Sequence, residues 1–166
     1  MPVIDQGINL NRYMLIPRTL IFLTRGDKVL LIKGSEYKRL WPDLYNGIGG
    51  HIEQGEDVLG AARRELYEET GLKANDLWLC GCVIVDTKVN PGVGIFVFRG
   101  ECQEGEPRPS NEGSLEWISI TAISKLPLVE DLPILLPKII ASQKGSPPFS
   151  AHSSYDESGN IVISFY

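Results

Sequence analysis

Apolar residues in this chain come in short runs broken by glycine, proline and acidic turns, with one longer stretch of helical spacing among them. Arg18 to Thr24 (RTLIFLT) is a β-branched and aromatic run, which predicts a buried strand. Arg25-Gly26-Asp27 supplies a turn, and Lys28 to Lys33 (KVLLIK) returns as a second strand. The loop Gly34 to Leu44 carries Trp41-Pro42-Asp43 and leads into Tyr45 to Gly50 (YNGIGG). Asp57 to Thr70 reads as the main helix. Val58, Ala61, Ala62 and Leu66 recur near helical spacing and form its inner face. Gly71 then ends it as a left-handed C-cap.

Leu77 to Val85 and Val93 to Arg99 read as further strands, joined through the Asn90-Pro91-Gly92 turn. Leu115 to Ile118 is a short strand, and Thr121 to Leu126 a helical turn. Leu132 to Ser142 predicts a second helix, with Pro133 in its first turn and Pro137 as an irregularity. The tail, Phe149 to Tyr155 and Ile161 to Tyr166 around Asp156 to Asn160, predicts a β-hairpin. Strands before and after a central helix, with another helix later, define a mixed α/β sandwich. No internal repeat or long linker interrupts the pattern, so residues 1–166 are expected to form one domain.

Within the main helix, Glu65, Glu68 and Glu69 change the picture from fold to chemistry. At about 3.6 residues per turn they share one face, within an arc of roughly 100°. Like charges that close oppose helix formation unless a cation sits between them. Oxygen-rich carboxylate sets suit Mg²⁺ or Mn²⁺, the ions that handle phosphates. A solvated acidic helix surface is the plain alternative.

Charge and composition exclude some classes. A net charge of -5 argues against a protein that coats nucleic-acid polymers, whose footprint would be basic. It is compatible with phosphate substrates, because a bound metal reverses the local field. No apolar run approaches the roughly 20 residues that span a membrane. The segment MPVIDQGINLNRY lacks a basic region followed by an apolar one, so no signal peptide is expected and the cytoplasm is the expected compartment. Cys80, Cys82 and Cys102 form no CxxC pair. Cys80 and Cys82 would share one strand face as reduced, half-buried thiols.

The full stretch GHIEQGEDVLGAARRELYEETGL, from Gly50 to Leu72, resembles the Nudix box. Gly50, Glu56, Arg64, Glu65, Leu66, Glu68, Glu69, Gly71 and Leu72 fill its fixed positions. The resemblance implies a Nudix-type α/β/α sandwich with a central mixed sheet and two main helices. It also implies hydrolysis of a nucleoside diphosphate linkage with Mg²⁺, or Mn²⁺, as cofactor. Glu65, Glu68 and Glu69 match the family's metal-binding glutamates, and the backbone carbonyl of Gly49 is a further implied ligand. Glu112, in NEGSLEWISI, stands where similar proteins place another acidic ligand or base, with Glu116 as the neighbouring candidate. Glu69 or Glu112 would take the proton of the attacking water. Arg64 and Glu56 read as a supporting ion pair that holds the loop to the helix and keeps Arg64 off the catalytic carboxylates.

The similarity extends to MutT-like members that cleave oxidised purine nucleoside triphosphates such as 8-oxo-dGTP. There an Asn just before the box glycines reads the base, the place Asn46 holds here. Adjacent acidic residues after the last short strand read the purine edge, at about Glu130-Asp131. The sequence departs at Leu128-Val129, where an aromatic partner for the base is expected. Asn46 as a turn residue and Glu130-Asp131 as a helix cap are the structural alternatives. ADP-ribose or another nucleoside diphosphate derivative is the second substrate class, and a catalytically silent nucleotide-binding domain is a reading of a different kind. The partner expected is a small nucleotide, with the chain a monomer or homodimer.

Overall fold

The computed structural model describes residues 6–36, 41–74, 76–108 and 112–166. The middle of the expected Gly34–Leu44 loop, the first five residues of the N-terminal segment and the Asn111 that opens NEGSLEWISI lie outside these. Eight strands form one mixed sheet: β1 (Leu15–Arg25), β2 (Lys28–Gly34), β3 (Tyr45–Asn46), β4 (Leu77–Val85), β5 (Gly92–Glu101), β6 (Gly113–Ser119), β7 (Phe149–Tyr155) and β8 (Ile161–Phe165). The helices are α1 (Val58–Thr70) and α2 (Leu132–Ala141), with a short 3-10 helix at Ile120–Lys125. Strand order is β3-β2-β1-β5-β4-β7-β8, with β6 paired to β2. The β1–β5 and β4–β7 pairs are parallel and the others antiparallel.

The sheet separates two apolar clusters, as strand alternation requires. Ile21, Leu23, Leu30 and Phe98 pack with Ala62 and Leu66 of α1. Leu20, Phe22, Leu31 and Val97 pack on the other face with Leu132, Leu135, Leu136 and Ile139 of α2. This is the expected α/β/α sandwich. Leu66 is 1% exposed, and burying such a side chain stabilises by about 1.5–3 kcal/mol. It also fixes the rotation of α1, so the Glu65–Glu69 face turns away from the core.

The ends of α1 are set by its flanking residues. Asp57 is the N-cap rather than the first helical residue; its Oδ1 accepts from the amides of Leu59 (3.0 Å) and Gly60 (2.9 Å). Gly71 adopts φ 71° and donates its amide to Tyr67 O at 2.8 Å, the left-handed cap expected.

One expectation is overturned in β4. Cys80 packs with Val83 in the α2-side cluster, three residues on, and the pairing with β5 shifts register between Leu79 and Gly81. This bulge inserts an extra residue, so Cys80 and Cys82 face opposite sides of the sheet. Cys80 is buried and Cys82 partly open. Burial pushes the Cys80 thiol up to about 12, which keeps it protonated and unreactive.

The positioning of the site follows from a split in the sheet. β1 and β2 pair only beside their turn, at Thr24–Val29 and Arg25–Lys28. Beyond that, the stretch from Tyr45 to Ile52 fills the gap. Tyr45 and Asn46 pair with Lys33 and Ile32 of β2. Ile48 then exchanges both backbone hydrogen bonds with Ile21 of β1, at 2.7 and 3.1 Å, and the Thr19 amide donates to Gly50 O at 2.9 Å. Asn46 is thereby held at the β2 side of the split and Gly49-Gly50 at the β1 side.

Candidate active site

Gly49 and Gly50 bring the backbone against α1. Gly49 has φ 148°, and a Cβ there would lie 2.2 Å from Thr19 O. A Cβ on Gly50 would lie 2.5 Å from Glu65 Oε1, so the Glu65 carboxylate rests on the bare glycine. The Gly49 amide points to Glu69 Oε2 at 3.4 Å. Carboxylates from one turn of α1 therefore abut a single Gly-Gly turn.

Arg64 organises the flank of this group. Its Nε and Nη2 donate to the two oxygens of Glu56, at 2.6 and 2.9 Å, and Nη2 also reaches His51 O at 3.1 Å. The Glu53 amide donates to Glu56 at 2.9 Å. Held chiefly by the Arg64 hydrogen bonds, the Glu56 carboxyl drops to about 2. The ion pair expected from sequence is present, but Arg64 is not kept off the metal-type carboxylates. Its remaining Nη1 donates to Glu65 Oε1 at 2.8 Å and to Glu68 Oε2 at 3.0 Å. The cause is the five-donor fork: Glu56 uses two nitrogens, and helix spacing puts the neighbour and the i+4 residue within reach of the third. Glu65 is 14% exposed and Glu68 57%, so the first is fixed and the second can swing.

Among the described residues, no three carboxylate, imidazole or thiol groups form a closed metal cage. The donors are nonetheless all oxygens, most of them anionic, on one helix face beside a backbone carbonyl. That chemistry fits a hard divalent cation whose remaining ligands come from phosphate and water.

A cleft of about 410 Å³ opens beside this group. It is lined by Glu69 and Gly49 on one side and by Asn46, Glu130 and Asp131 on the other, with Glu112 also on its wall. A parallel bridge joins these distant segments. Tyr45 donates its amide to Pro127 O (2.8 Å), and its carbonyl accepts from Val129 (3.0 Å), which lays residues 127–131 beside Asn46.

The sequence alternatives are resolved in part by contacts. Asn46 Oδ1 accepts from the Gly47 amide at 2.7 Å, as a turn residue would, while its Nδ2 has no partner among the described residues. Asp131 stands at the N-cap position of α2, yet its carboxyl makes no capping hydrogen bond. Burial raises the Asp131 carboxyl above the ordinary range, and the neighbouring Glu130 charge adds to this. Glu116 accepts from Tyr45 Oη at 3.1 Å and Ser114 Oγ at 3.3 Å and does not line the cleft, unlike Glu112.

Arg18, Trp41 and Tyr155 are among the cleft residues that the sequence did not single out. Trp41 and Tyr155 supply the aromatic surface that Leu128-Val129 lacks. Tyr155 Oη donates to Glu130 Oε2 at 3.1 Å. Trp41 lies in the expected loop and Tyr155 in the expected hairpin, but nothing local tells either residue that it lines a cleft with Asn46.

The mixed α/β/α sandwich thus carries a carboxylate-bearing helix against a Gly-Gly turn beside an open cleft, the framework of a hydrolase fold. The NUDIX domain profile matches residues 14–139. The chain belongs to the NUDIX family and is a pyrophosphohydrolase of that family. It is 34% identical over 109 residues to an oxidized purine nucleoside triphosphate hydrolase from Danio rerio, covering 63% of this chain and 67% of the relative. The enzyme of the same name from Mus musculus is 26% identical over 145 residues, covering 87% and 89%. The fold is similar to that of the MutT mutator protein from Bacillus halodurans, with a TM-score of 0.76, 23% identity, and 91% and 97% of the two chains covered.

Proposed function

We propose that the protein hydrolyses nucleoside triphosphates, oxidised purine nucleotides among them, to the monophosphate and pyrophosphate. The observation that carries this reading is the single cleft joining Asn46, Glu130 and Asp131 to Glu69, Gly49 and Glu112. Base-reading donors and acceptors thus face the same space as the metal-type oxygens, and the relatives named for oxidised purine hydrolysis support the substrate class.

Glu65, Glu68, Glu69, Glu112 and the carbonyl of Gly49 would hold Mg²⁺, with Mn²⁺ as a substitute. When bound, the cation would neutralise phosphate charge and make water a better nucleophile. The chain's own groups do the rest. Water forms a bond to one phosphorus of the anhydride, and the bridging P–O bond breaks with its electron pair leaving on the departing phosphate. The water proton passes to one of the two glutamates that line the cleft, Glu69 or Glu112. Arg64 and Glu56 keep α1 and the Glu53–Glu56 turn together, so the carboxylates keep their places.

Asn46 Nδ2 offers donors to a purine carbonyl or ring nitrogen. Burial lifts the Asp131 carboxyl towards its neutral form, which carries a donor, while Glu130 beside it accepts from Tyr155. That pairing reads an edge with mixed polarity. Product analysis with Mg²⁺ and with EDTA tests the reading, on canonical and oxidised nucleoside triphosphates and ADP-ribose. Metal-dependent monophosphate plus pyrophosphate, fastest with an oxidised purine, is the expected result. Preferential cleavage of ADP-ribose would discard the base-reading assignment and retain the metal end.

A further inference from the structure

Four carboxyl groups line the cleft, Glu69, Glu112, Glu130 and Asp131, against a single basic side chain among the described residues, Arg18. Four other arginines among the described residues are committed elsewhere. Arg25 binds Glu106 and lies over Trp117, Arg64 holds Glu56, Glu65 and Glu68, Arg99 donates to carbonyls at the end of α2, and Arg108 stacks on Tyr67. Arg18 makes no ion pair or side-chain hydrogen bond with any described residue. It is half-buried on β1, where strand alternation puts it on the same sheet face as Leu20 and Phe22, the cleft side. Its backbone bridges His51 and neighbours Thr19, which bonds Gly50, so it stands one step from the turn against which Glu65 and Glu69 lie.

An unpaired guanidinium on the wall of an acidic cleft has a specific use. A polyphosphate entering past Glu130 meets like charge on the wall, and a cation on the metal-type carboxylates of α1 would not offset it. We propose that Arg18 binds the phosphate chain of the substrate, fixing its orientation from the sheet side of the cleft. The planar, permanently charged fork suits two phosphate oxygens at once. This rests on the nucleotide-anhydride reading above, but it concerns the anhydride and not the base.

The test is calorimetric binding of inorganic tripolyphosphate with Mg²⁺ to the wild type, Arg18→Gln and Arg18→Lys, which requires neither a base nor turnover. Arg18→Gln should weaken binding about tenfold or more, the scale of one charge-assisted contact. Arg18→Lys should recover part of the loss. In steady state, Arg18→Gln should raise KM by a common factor for every nucleoside triphosphate, with kcat little changed and the ranking of bases preserved. No measurable tripolyphosphate binding to the wild type, unchanged binding in Arg18→Gln, or a loss confined to one base would each overturn the proposal. If Arg18→Gln does not fold, Arg18→Met keeps the aliphatic stem and takes its place. A wild type that prefers ADP-ribose defeats the triphosphate reading alone, since tripolyphosphate binding still reads Arg18.

Discussion

The two ends of the cleft are built in opposite ways. At the α1 end, Gly49, Gly50, Glu56, Arg64, Glu65, Glu68 and Glu69 come from one continuous stretch, and Arg64 ties three of its carboxylates together. At the other end, Trp41, Asn46, Glu130, Asp131 and Tyr155 arrive from separate segments, joined through Tyr45 and the Tyr155–Glu130 contact. The first end holds the Glu56 carboxyl in its charged form through Arg64 and the Glu53 amide. The second lifts one carboxyl towards its neutral form by burial. Reaction chemistry that needs anions can be written locally, whereas recognition of a base is assembled by the tertiary fold.

The sharpest break of this comparison is Glu69→Gln. The amide retains the shape and one oxygen for the Gly49 amide, so the thermal midpoint should move little. Loss of a negative oxygen donor and proton acceptor should lower kcat by about 10²–10⁴. Near-normal kcat in a folded variant would remove Glu69 from the chemistry and leave the base role to Glu112.

That asymmetry also explains what the sequence made legible. Helix spacing alone put Glu65, Glu68 and Glu69 on one face, and Asp57 and Gly71 marked the ends of α1 within a residue. The strands read from β-branched runs and turn residues were all found, because each carries its own alternation and punctuation. The second partnership of Arg64 was missed because it depends on how far a guanidinium reaches once Glu56 is bound. The Cys80 bulge was missed because strand periodicity assumes an unbroken register. Arg18 looked like the first residue of a buried strand; only the split between β1 and β2 reveals a cleft beside it.

At the recognition end the expected effects are smaller and fall on selectivity. Asp131→Asn fixes an uncharged side chain with a donor, so kcat on the preferred purine should hold while the ratio of kcat/KM between purines shifts by about tenfold. The sign with pH follows from the raised carboxyl. Its contribution to stability is fully present below the unfolded value near 3.8 and is lost as pH rises through the higher folded one. The variant should lack that loss, and thermal midpoints across the acid range check it. A purine ranking identical to wild type would detach Asp131 from the base and collapse the distinction between the two ends.

The smallest effect tests the brace at the α1 end through acid titration. Glu56 lies well below its ordinary 4.5, at about 2, because Arg64 and the Glu53 amide hydrogen-bond its charged form. A depressed carboxyl contributes stability above its unfolded value and loses it as pH falls through the folded one. The wild type should therefore shed this contribution between about pH 4.5 and 2. Glu56→Gln removes the titrating group but keeps a polar side chain beside Arg64. Its thermal midpoint should lie below that of the wild type at neutral pH, and the gap should close through that window. Because the pair is solvent-accessible, added salt should shrink the gap at neutral pH as well. A gap that stays constant from neutral pH to pH 2 would mean that Glu56 acts through shape alone. The charge logic assigned to this end of the cleft would then rest on Arg64 with Glu65 and Glu68.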